Sequence, residues 1–459
     1  MASKTLWETY TEEQKQAMEP FCEEYRQFLS RCKTERECVT EMIEMAKAHG
    51  YRDLGEIMAR GERLQPGDKV YANNRGKMLA LAQIGTRPFS HGLNILGAHI
   101  DSPRLDLKPN PLYEDSGLAL LKTHYYGGIK KYQWVTLPLA LHGVVAKKDG
   151  TVQKVVLGED PSDPVVGISD ILPHLGKDQA TKPLGEAIPA ESLNVCIGSI
   201  PLADEKEEPI KKNVLRLLEE KYGMTEDDFH SAEIEVVPAG PARHYGLDSS
   251  MLLGYGHDDR ICAYTSLKAQ LDCPDAETTA ITLVVDKEEI GSVGATGMHS
   301  HYFENFVADI LDAMGQYSDL TLRRTLAASR MLSSDVSVAF DPNFPEVCER
   351  MNSQFFAHGP VLHKYTGSRG KSGSNDATAE YIASLRHIFD EDDVKYQMGE
   401  LGKVDQGGGG TIAYILAAYA MDVIDVGIPL HSMHAPYEVA SKPDIYETYR
   451  AYKVFLQKM

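Results

Sequence analysis

Five short segments of the 459-residue chain combine acidic and imidazole side chains in patterns that suit metal chemistry. Four of them follow apolar runs directly or within a short turn. In open α/β sheets the ligand site lies outside the carboxyl ends of the strands, so residues far apart in sequence can converge there. The five segments are GAHIDSP (97–103), GHDDR (256–260), DKEEIGS (286–292), SSDVS (333–337) and HSMHAPYE (431–438).

These side chains meet the chemical demands of a two-zinc site. Zinc takes imidazole nitrogen and carboxylate oxygen, and two zinc ions about 3.5–4 Å apart need a carboxylate that bridges them. His99 is followed two residues later by Asp101, and a ligating imidazole commonly donates its other N–H to such an acid. Taken alone, a histidine at a strand end is more often structural.

The adjacent acids Glu288 and Glu289 follow the apolar run Ile281–Val285. Two carboxylates beside a buried strand are costly without cations. In the presence of a metal, one can ligate while its neighbour takes a proton from a water molecule whose pKa the ion lowers to about 7. The alternative is a solvated helix start, where acids are also favoured.

The remaining candidates each have a structural alternative. Asp258 could be part of a helix N-cap with a surface ion pair, and Asp335 could be a turn residue. His431 and His434 lie three residues apart in a loop, where one is a candidate ligand and the other a substrate contact or an exposed side chain. The joint occurrence of all five segments favours one shared metal site.

The N-terminal part of the chain predicts two helices and a hairpin. Apolar residues recur at three and four between Glu8 and Ala48, which indicates two amphipathic helices that end at Gly50. A hairpin follows over 69–84, with a tight turn at Asn73–Gly76. The short apolar run Leu93–Ala98 predicts a buried strand with His99 and Asp101 just past its end.

A β-rich segment interrupts this pattern. Short strands are predicted at 144–146, 152–157 and 234–237, with one clear helix at Pro209–Tyr222 that Gly223 stops. After Pro241 the alternation of apolar strands with amphipathic helices resumes at 281–285, 325–329 and 411–420, the last leading into 423–426.

The length of the chain predicts two domains, because single cores usually stop growing at about 250–300 residues. We expect an α/β domain formed by 1–101 and 242–459, and an inserted β-rich domain over 102–241.

The composition of the chain limits the classes of partner and the cellular location that we expect. The net charge of −20 repels phosphate backbones and anionic lipid surfaces, so neither nucleic acid nor membrane is an expected partner. No apolar run approaches the roughly 20 residues of a membrane helix, and the polar, acidic N-terminus lacks the features of a secretory signal, so we expect a cytoplasmic protein. The seven scattered cysteines indicate neither a disulfide framework nor a thiolate zinc site.

Motifs along most of the chain resemble those of the aspartyl aminopeptidase and aminopeptidase I family of dinuclear zinc exopeptidases. They are GAHIDSPRLDLKPNP, YYGGI, DDR, DKEEIGS, SSDVS, DPNF and DVGIP followed by MH, in family order. The resemblance implies the following roles: His99 and Asp335 hold one zinc, Glu289 and His434 hold the other, Asp258 bridges both, Glu288 is the general base and Asp101 orients His99.

The same resemblance implies the architecture and the partners. It implies an α/β, zinc-exopeptidase-like catalytic domain with a mixed sheet flanked by helices, plus an inserted β-rich domain for subunit contacts in a homo-oligomer, a dodecamer. It also implies two divalent ions per subunit, zinc with cobalt or manganese as alternatives, and peptide substrates with a free N-terminus. The expected substrate-binding residues are Lys364, His431, Gly408 and Gly409.

Three functions are compared. The first is a metallo-aminopeptidase, the second a two-metal deacylase or carboxypeptidase on a similar core, and the third a peptide-binding scaffold that has lost the chemistry. N-acetylated substrates discriminate the first two, because an aminopeptidase should refuse them. The preferred N-terminal residue stays open between acidic and neutral. Val338 stands where many relatives have a histidine, and Lys130–Tyr132 stands where acid-specific relatives often have Trp and His.

Overall fold

The computed structural model describes residues 4–274 and 276–459. These residues form two compact units. The first unit contains the chain up to Asp101 together with Ala242–Met433 and Glu438–Met459. The second unit contains Ser102–Pro241 and the four residues His434–Tyr437.

The elements are numbered in chain order. The helices are α1 (Leu6–Thr9), α2 (Glu12–Arg31), α3 (Glu35–Ala48), α4 (Leu54–Ala59), α5 (Lys177–Ala180), α6 (Leu184–Ala187), α7 (Pro209–Tyr222), α8 (His257–Leu271), α9 (Tyr302–Ala313), α10 (Asp319–Ala327), α11 (Ala379–Glu391), α12 (Ala413–Ala417) and α13 (Lys442–Lys458). The strands are β1 (Arg52–Asp53), β2 (Lys69–Asn74), β3 (Met78–Gln83), β4 (Asn94–His99), β5 (Arg104–Asp115), β6 (Leu118–Tyr126), β7 (Leu139–Ala146), β8 (Val152–Leu157), β9 (Val195–Gly198), β10 (Ala232–Pro238), β11 (Arg243–Tyr245), β12 (Met251–Gly254), β13 (Ala280–Val285), β14 (Arg330–Ser333), β15 (Ser337–Val338), β16 (Val361–His363), β17 (Gln397–Met398), β18 (Asp422–Gly427), β19 (Pro429–His431) and β20 (Glu438–Ser441).

A nine-stranded mixed sheet is the centre of the first unit, in the order β1-β2-β3-β13-β4-β14-β18-β16-β17. The strands β13, β4, β14 and β18 run parallel. Val285 is paired with His99, and Ser333 is paired with Gly97. This register brings the carboxyl ends of β13, β4 and β14 to the same edge of the sheet, where ligand sites of α/β folds lie.

Helices cover both faces of this sheet because its strands are apolar on both sides. Leu79 and Leu81 of β3 pack into a core with α2, α3, α8 and α13. Ala80 and Ala82 of the same strand pack into a second core with α4, α9, α10 and α12. Successive side chains of a strand point to opposite faces, so β3 contributes to both layers. A separate five-stranded sheet, β11-β12-β20-β19-β15, also belongs to the first unit.

The second unit is built on a six-stranded sheet in the order β8-β7-β10-β5-β6-β9. All its pairs are antiparallel, and α7 contacts its strands. Gly223 ends α7 in the left-handed conformation, with φ 61°, as the sequence predicts. The predicted strands at 144–146, 152–157 and 234–237 lie within β7, β8 and β10.

The N-terminal predictions are confirmed. The two amphipathic helices are α2 and α3, each begun by a threonine whose side chain accepts a backbone N–H, Thr11 and Thr34. The hairpin is β2 and β3, joined by the three residues Arg75–Lys77, so the turn lies slightly later than the predicted Asn73–Gly76; Arg75 and Gly76 both have positive φ, 60° and 69°.

Two predictions in the C-terminal half are wrong in their bounds. The segment 325–329 is the end of α10, and the strand is β14, because Ser318 caps a helix whose apolar residues Leu322 and Leu326 recur at four. The helix predicted over 411–420 is the shorter α12. His99 is the last residue of β4 instead of lying past its end. Within the described ranges no helix is both long and apolar enough to cross a bilayer, and all seven cysteines are free thiols.

Candidate active site

His99 is the centre of a cluster of acidic side chains at the sheet edge. It is 2% exposed, and its Nδ1 lies 3.0 Å from the main-chain oxygen of Asp101. Its Nε2 lies 3.2 Å from Asp258 Oδ1, 3.9 Å from Glu288 Oε2 and 3.9 Å from Asp335 Oδ1. The structure therefore brings residues from four of the five sequence segments together.

Asp258 enters the cluster from the first turn of α8. Its backbone angles, φ −79° and ψ 108°, are not helical, and its N–H donates to Glu438 Oε2 at 3.1 Å. Two residues later, the buried Arg260 donates to the main-chain oxygens of Ile100 and Lys33 at 3.2 and 2.9 Å. Arg260 thus binds backbone instead of forming the surface ion pair of the alternative interpretation.

Glu288 and Glu289 lie in a short 3-10 helix, Glu288–Ile290, which follows β13. Lys287 precedes it in the left-handed region with φ 68°. The backbone N–H groups of Glu288 and Glu289 donate to Oδ1 and Oδ2 of Asp101, both at 3.1 Å. Both oxygens of the buried Asp101 carboxylate therefore hold the turn that carries the two glutamates.

Asp101 faces His99 with both its carboxylate and its main-chain oxygen, whereas the sequence pointed to the carboxylate alone. Its carboxylate Oδ1 is 3.4 Å from His99 Nδ1, whereas its main-chain oxygen is at 3.0 Å. Both the main-chain oxygen and the carboxylate of Asp101 therefore face Nδ1 of His99, and the main-chain oxygen is the nearer of the two. The side chain of Asp101 is directed to the glutamate turn, a role that the sequence did not indicate.

Asp335 lies between β14 and β15, close to the chain that follows β18. A Cβ added to Gly427 would stand 1.5 Å from the main-chain oxygen of Asp335, so only glycine permits this approach. On the other side, the N–H of Ser334 donates to the main-chain oxygen of Gly97 at 2.6 Å. These contacts fix the backbone that presents Asp335.

The donor set fits zinc. Ligand atoms of His99, Asp258 and Asp335 lie within 4.8 Å of one another, and so do those of His99, Glu288 and Glu289. One imidazole and four carboxylates are the nitrogen and oxygen donors that zinc binds. Because carboxylates at such short separations repel one another, a divalent cation stabilises their ionised forms.

The pKa values of the cluster report the same repulsion. Burial raises the pKa of Asp335 well above its ordinary value, and the charges of Asp259, Glu288 and Asp258 add to that rise. Burial lowers the pKa of His99, but its hydrogen bonds with Asp101 and Asp258 outweigh this and hold the pKa well above the usual range. Positive charge is therefore favoured at this position.

The two candidate histidines of the last segment lie in different units. His434 belongs to the second unit, where its Nδ1 is 3.0 Å from the main-chain oxygen of Gly128. His431 belongs to the first unit, where its Nε2 is 3.1 Å from the main-chain oxygen of Phe340 and its ring lies 4.3 Å from that of Phe356. His431, the last residue of β19, therefore contacts Phe340 and Phe356.

The other candidate substrate residues have structural partners. Lys364 donates to Asp376 Oδ1 at 2.7 Å. The main-chain oxygen of Gly409 accepts the N–H of Gly367 at 2.7 Å, and a Cβ on Gly408, which has φ 121°, would stand 2.0 Å from the main-chain oxygen of Gly367. The glycines thus allow two loops to approach closely.

Sequence reasoning missed several supporting residues. The hydroxyl of Tyr25 of α2 is hydrogen-bonded to Nδ1 of the buried His257, the residue before Asp258, at 2.8 Å. His363 and Ser337 form a further buried pair beyond Asp335. The position of His257 beside Asp258 was the one available sign for the first pair, since the partner tyrosine lies 232 residues away.

Comparison with known proteins decides the family. The family model of the aminopeptidase I zinc metalloproteases (M18) matches residues 28–456. The chain belongs to the M18 family. A probable M18 family aminopeptidase 1 of Clostridium acetobutylicum is 59% identical over 454 residues, which is 99% of this chain and 98% of that protein. An M18 aminopeptidase crystal structure from Thermotoga maritima has a TM-score of 0.95 and 44% identity, with all of both chains covered.

A more distant structure shares the fold alone. The S. cerevisiae mApe1 dodecamer has a TM-score of 0.77 and 20% identity, covering 96% of this chain and 97% of that one. The resemblance to the family and the α/β fold class with mixed sheets flanked by helices are confirmed. The protein is a zinc metallo-aminopeptidase, a hydrolase that removes N-terminal residues from peptides, which agrees with the first of the three functions compared.

Proposed function

We propose that the aminopeptidase reaction of this M18 chain takes place at the cluster around His99, with two zinc ions. His99 and Asp335 would hold one ion, Glu289 and His434 would hold the other, and Asp258 would be shared by both. The observation that carries this proposal is the convergence of His99, Asp258 and Asp335, whose ligand atoms lie within 4.8 Å of one another. Imidazole and carboxylate donors in that arrangement suit zinc.

Chain connectivity supports His434 as a ligand of the second ion. The four residues His434–Tyr437 are joined at both ends to the first unit, through Met433 and Glu438. Glu438 accepts the backbone N–H of Asp258 at 3.1 Å. The segment that carries His434 is therefore attached, four residues later, to the residue that holds the proposed bridging aspartate.

Glu288 is the proposed general base. Bound zinc would supply Lewis acidity, which acidifies water and polarises the scissile carbonyl. Glu288 Oε2 lies 3.9 Å from His99 Nε2, and its backbone is held by Asp101. From this position Glu288 takes a proton from the attacking water and returns it to the leaving amine.

Replacing Glu288 by glutamine tests this assignment. Glu288→Gln keeps the size of the side chain and removes the base, so kcat should fall by about 100- to 10,000-fold while zinc is retained. Glu12→Gln, at a side chain that is 80% exposed on α2, is the matched control. Wild-type turnover in Glu288→Gln would reject Glu288 as the base.

The number of zinc ions and the class of substrate are tested by separate measurements. Elemental analysis should give two zinc ions per chain, and activity lost on chelation should return with zinc, with cobalt and manganese as the alternatives to compare. Peptides with a free N-terminus should be cleaved and their N-acetylated forms refused. Aminoacyl reporters with acidic and neutral residues then establish the preference that the sequence left open.

We further propose that the chain assembles with copies of itself, as a dodecamer, and that the second unit provides contacts. The S. cerevisiae mApe1 structure, which has the same fold, is a dodecamer. The second unit carries large exposed apolar side chains, including Leu175 at 69% and Ile200 at 71%, which suit burial against another subunit. Light scattering on the purified protein measures the mass. A cytoplasmic location stays a prediction of the sequence.

A further inference from the structure

A buried hydrogen-bond chain begins two residues after Asp335. The hydroxyl of Ser337, the first residue of β15, lies 2.8 Å from Nε2 of His363 and 2.7 Å from Nε2 of Gln354. Nδ1 of His363 lies 2.9 Å from the main-chain oxygen of Gly399. Three segments that are distant in sequence therefore meet at one serine.

The directions of these bonds are determined by chemistry. Nε2 of Gln354 also bonds to the main-chain oxygen of Val338, which can only accept, so the amide nitrogen of Gln354 faces β15 and donates. Ser337 Oγ accepts from that amide. The main-chain oxygen of Gly399 can only accept, so His363 carries its proton on Nδ1, and Nε2 of the neutral ring accepts the O–H of Ser337. The bonds of Ser337 and His363 thus fix a single histidine tautomer.

All three side chains of this hydrogen-bond chain are buried, so breaking one of its bonds leaves a buried polar group without a partner. Ser337 is 1% exposed, Gln354 0% and His363 4%. Burial lowers the pKa of His363 to about 4, so its ring is neutral over the range in which the enzyme would be assayed. A buried donor or acceptor that loses its partner is destabilising, so these hydrogen bonds hold β15 against β16.

The backbone around Asp335 transmits this restraint. The N–H of Ser337 donates to the main-chain oxygen of Ile428 at 2.9 Å, next to Gly427, which itself touches the main-chain oxygen of Asp335. Before Asp335, the N–H of Ser334 is bonded to the sheet. Because Ser334 is also held by a backbone hydrogen bond, a shift of Ser337 would change the conformation of the residues between them, which include Asp335.

We propose that His363 is a positioning residue for Asp335: by accepting the hydroxyl of Ser337 it holds β15 so that the Asp335 carboxylate is aimed at the metal site. The inference rests on the proposed function, in which Asp335 and His99 hold one of two zinc ions. Supporting partners of metal ligands typically change metal affinity or activity by about 10- to 100-fold when removed.

The test uses His363→Leu, which fills similar space without an acceptor, and His363→Gln, which restores an acceptor for the serine. Zinc dissociation constants are measured by competition with a chelator, and the visible spectrum of the cobalt-loaded protein reports ligand geometry. In His363→Leu one of the two zinc ions should bind about 10- to 100-fold more weakly and the cobalt spectrum should change, whereas His363→Gln should recover most of the affinity. His387→Leu, at an exposed ion pair on α11, is the control.

Ser337→Ala removes only the hydroxyl and therefore tests the same hydrogen bond if His363→Leu does not fold. Combined with His363→Leu, it should add no further loss of zinc affinity, because both changes break the same bond. The inference would be overturned if the fold losses of zinc affinity in the two single variants multiplied in the double variant. It would also be overturned if the folded single variants kept the wild-type zinc affinity and cobalt spectrum. Wild-type protein that binds fewer than two zinc ions would instead count against the proposed function, so the two failures are distinguishable.

Discussion

Asp101→Asn separates two roles that a carboxylate beside a ligating histidine can have. In the structure the Asp101 side chain accepts the N–H groups of Glu288 and Glu289, both at 3.1 Å. Nδ1 of His99 lies nearer to the main-chain oxygen of Asp101, which the substitution keeps, than to its carboxylate. Asparagine retains one acceptor oxygen and places an NH2 group against the other backbone N–H.

The magnitude follows from these two hydrogen bonds. A hydrogen bond to a charged group contributes about 1.5–3 kcal/mol, and a neutral one about 0.5–1.5 kcal/mol. Asp101→Asn loses one bond and weakens the other, so the turn that carries Glu288 loses restraint of about 2–4 kcal/mol. If all of this is needed to aim the base, kcat falls by about 30- to 1000-fold, because each 1.36 kcal/mol is tenfold in rate.

The assay pairs turnover with metal content. We expect Asp101→Asn to show the reduced kcat on an aminoacyl reporter while keeping its zinc, and Asp319→Asn, whose side chain is 73% exposed, to behave as wild type. If the variant instead loses zinc affinity tenfold or more, and its turnover per bound zinc is unchanged, the carboxylate acts through His99 and our reasoning about the glutamate turn is refuted.

Three further predictions concern the surroundings of the site. Gly427→Ala adds a Cβ only 1.5 Å from the main-chain oxygen of Asp335, so zinc affinity and kcat should both fall at least about tenfold by overpacking, while Gly185→Ala, which meets nothing within 4 Å, leaves both unchanged. Burial raises the pKa of Asp425 to about 6 in the folded protein, above the unfolded value of about 3.9. Protonated Asp425 therefore contributes its full free energy of folding below about pH 4, and this contribution is lost as the pH rises through about 6. Urea unfolding in chelator should therefore show the wild-type advantage over Asp425→Asn falling by up to about 3 kcal/mol between pH 4 and 6.5; an equal slope for both proteins contradicts this. Zinc at 100 times its dissociation constant should raise the unfolding free energy by about 2.7 kcal/mol per ion over chelated protein, and an unchanged melting curve would show that the ions do not bind the folded state preferentially.

The sheet and its edge were predictable from sequence because they depend on local pattern. The runs Leu93–Ala98 and Ile281–Val285 are nearly all apolar, which is typical of strands covered on both faces. Parallel pairing then places His99 level with Val285, and the acids that follow β13 reach the same edge. The convergence of His99 with Asp258 and Glu288 was therefore expected before any coordinates.

The supporting bonds were not predictable, because they depend on how long loops return to the sheet. Gln354 reaches Ser337 from a loop that has no apolar period, and His363 lies in a three-residue strand whose partners are 26 and 36 residues away. The error at 325–329 has a different cause. Thr325 favours a strand by propensity, but the capped helix α10 and its packing prevail.

The turn that carries the adjacent glutamates bears on the different roles proposed for them. In a 3-10 helix successive side chains leave the axis about 120° apart, so Glu288 and Glu289 cannot approach one ligand from the same direction. Lys287, with φ 68°, sets the entry into this turn, and Asp101 holds both backbone N–H groups. Exchanging the proposed roles of the two glutamates would require rotating the turn against both hydrogen bonds, which is consistent with Glu289 as the proposed ligand and Glu288 as the proposed base.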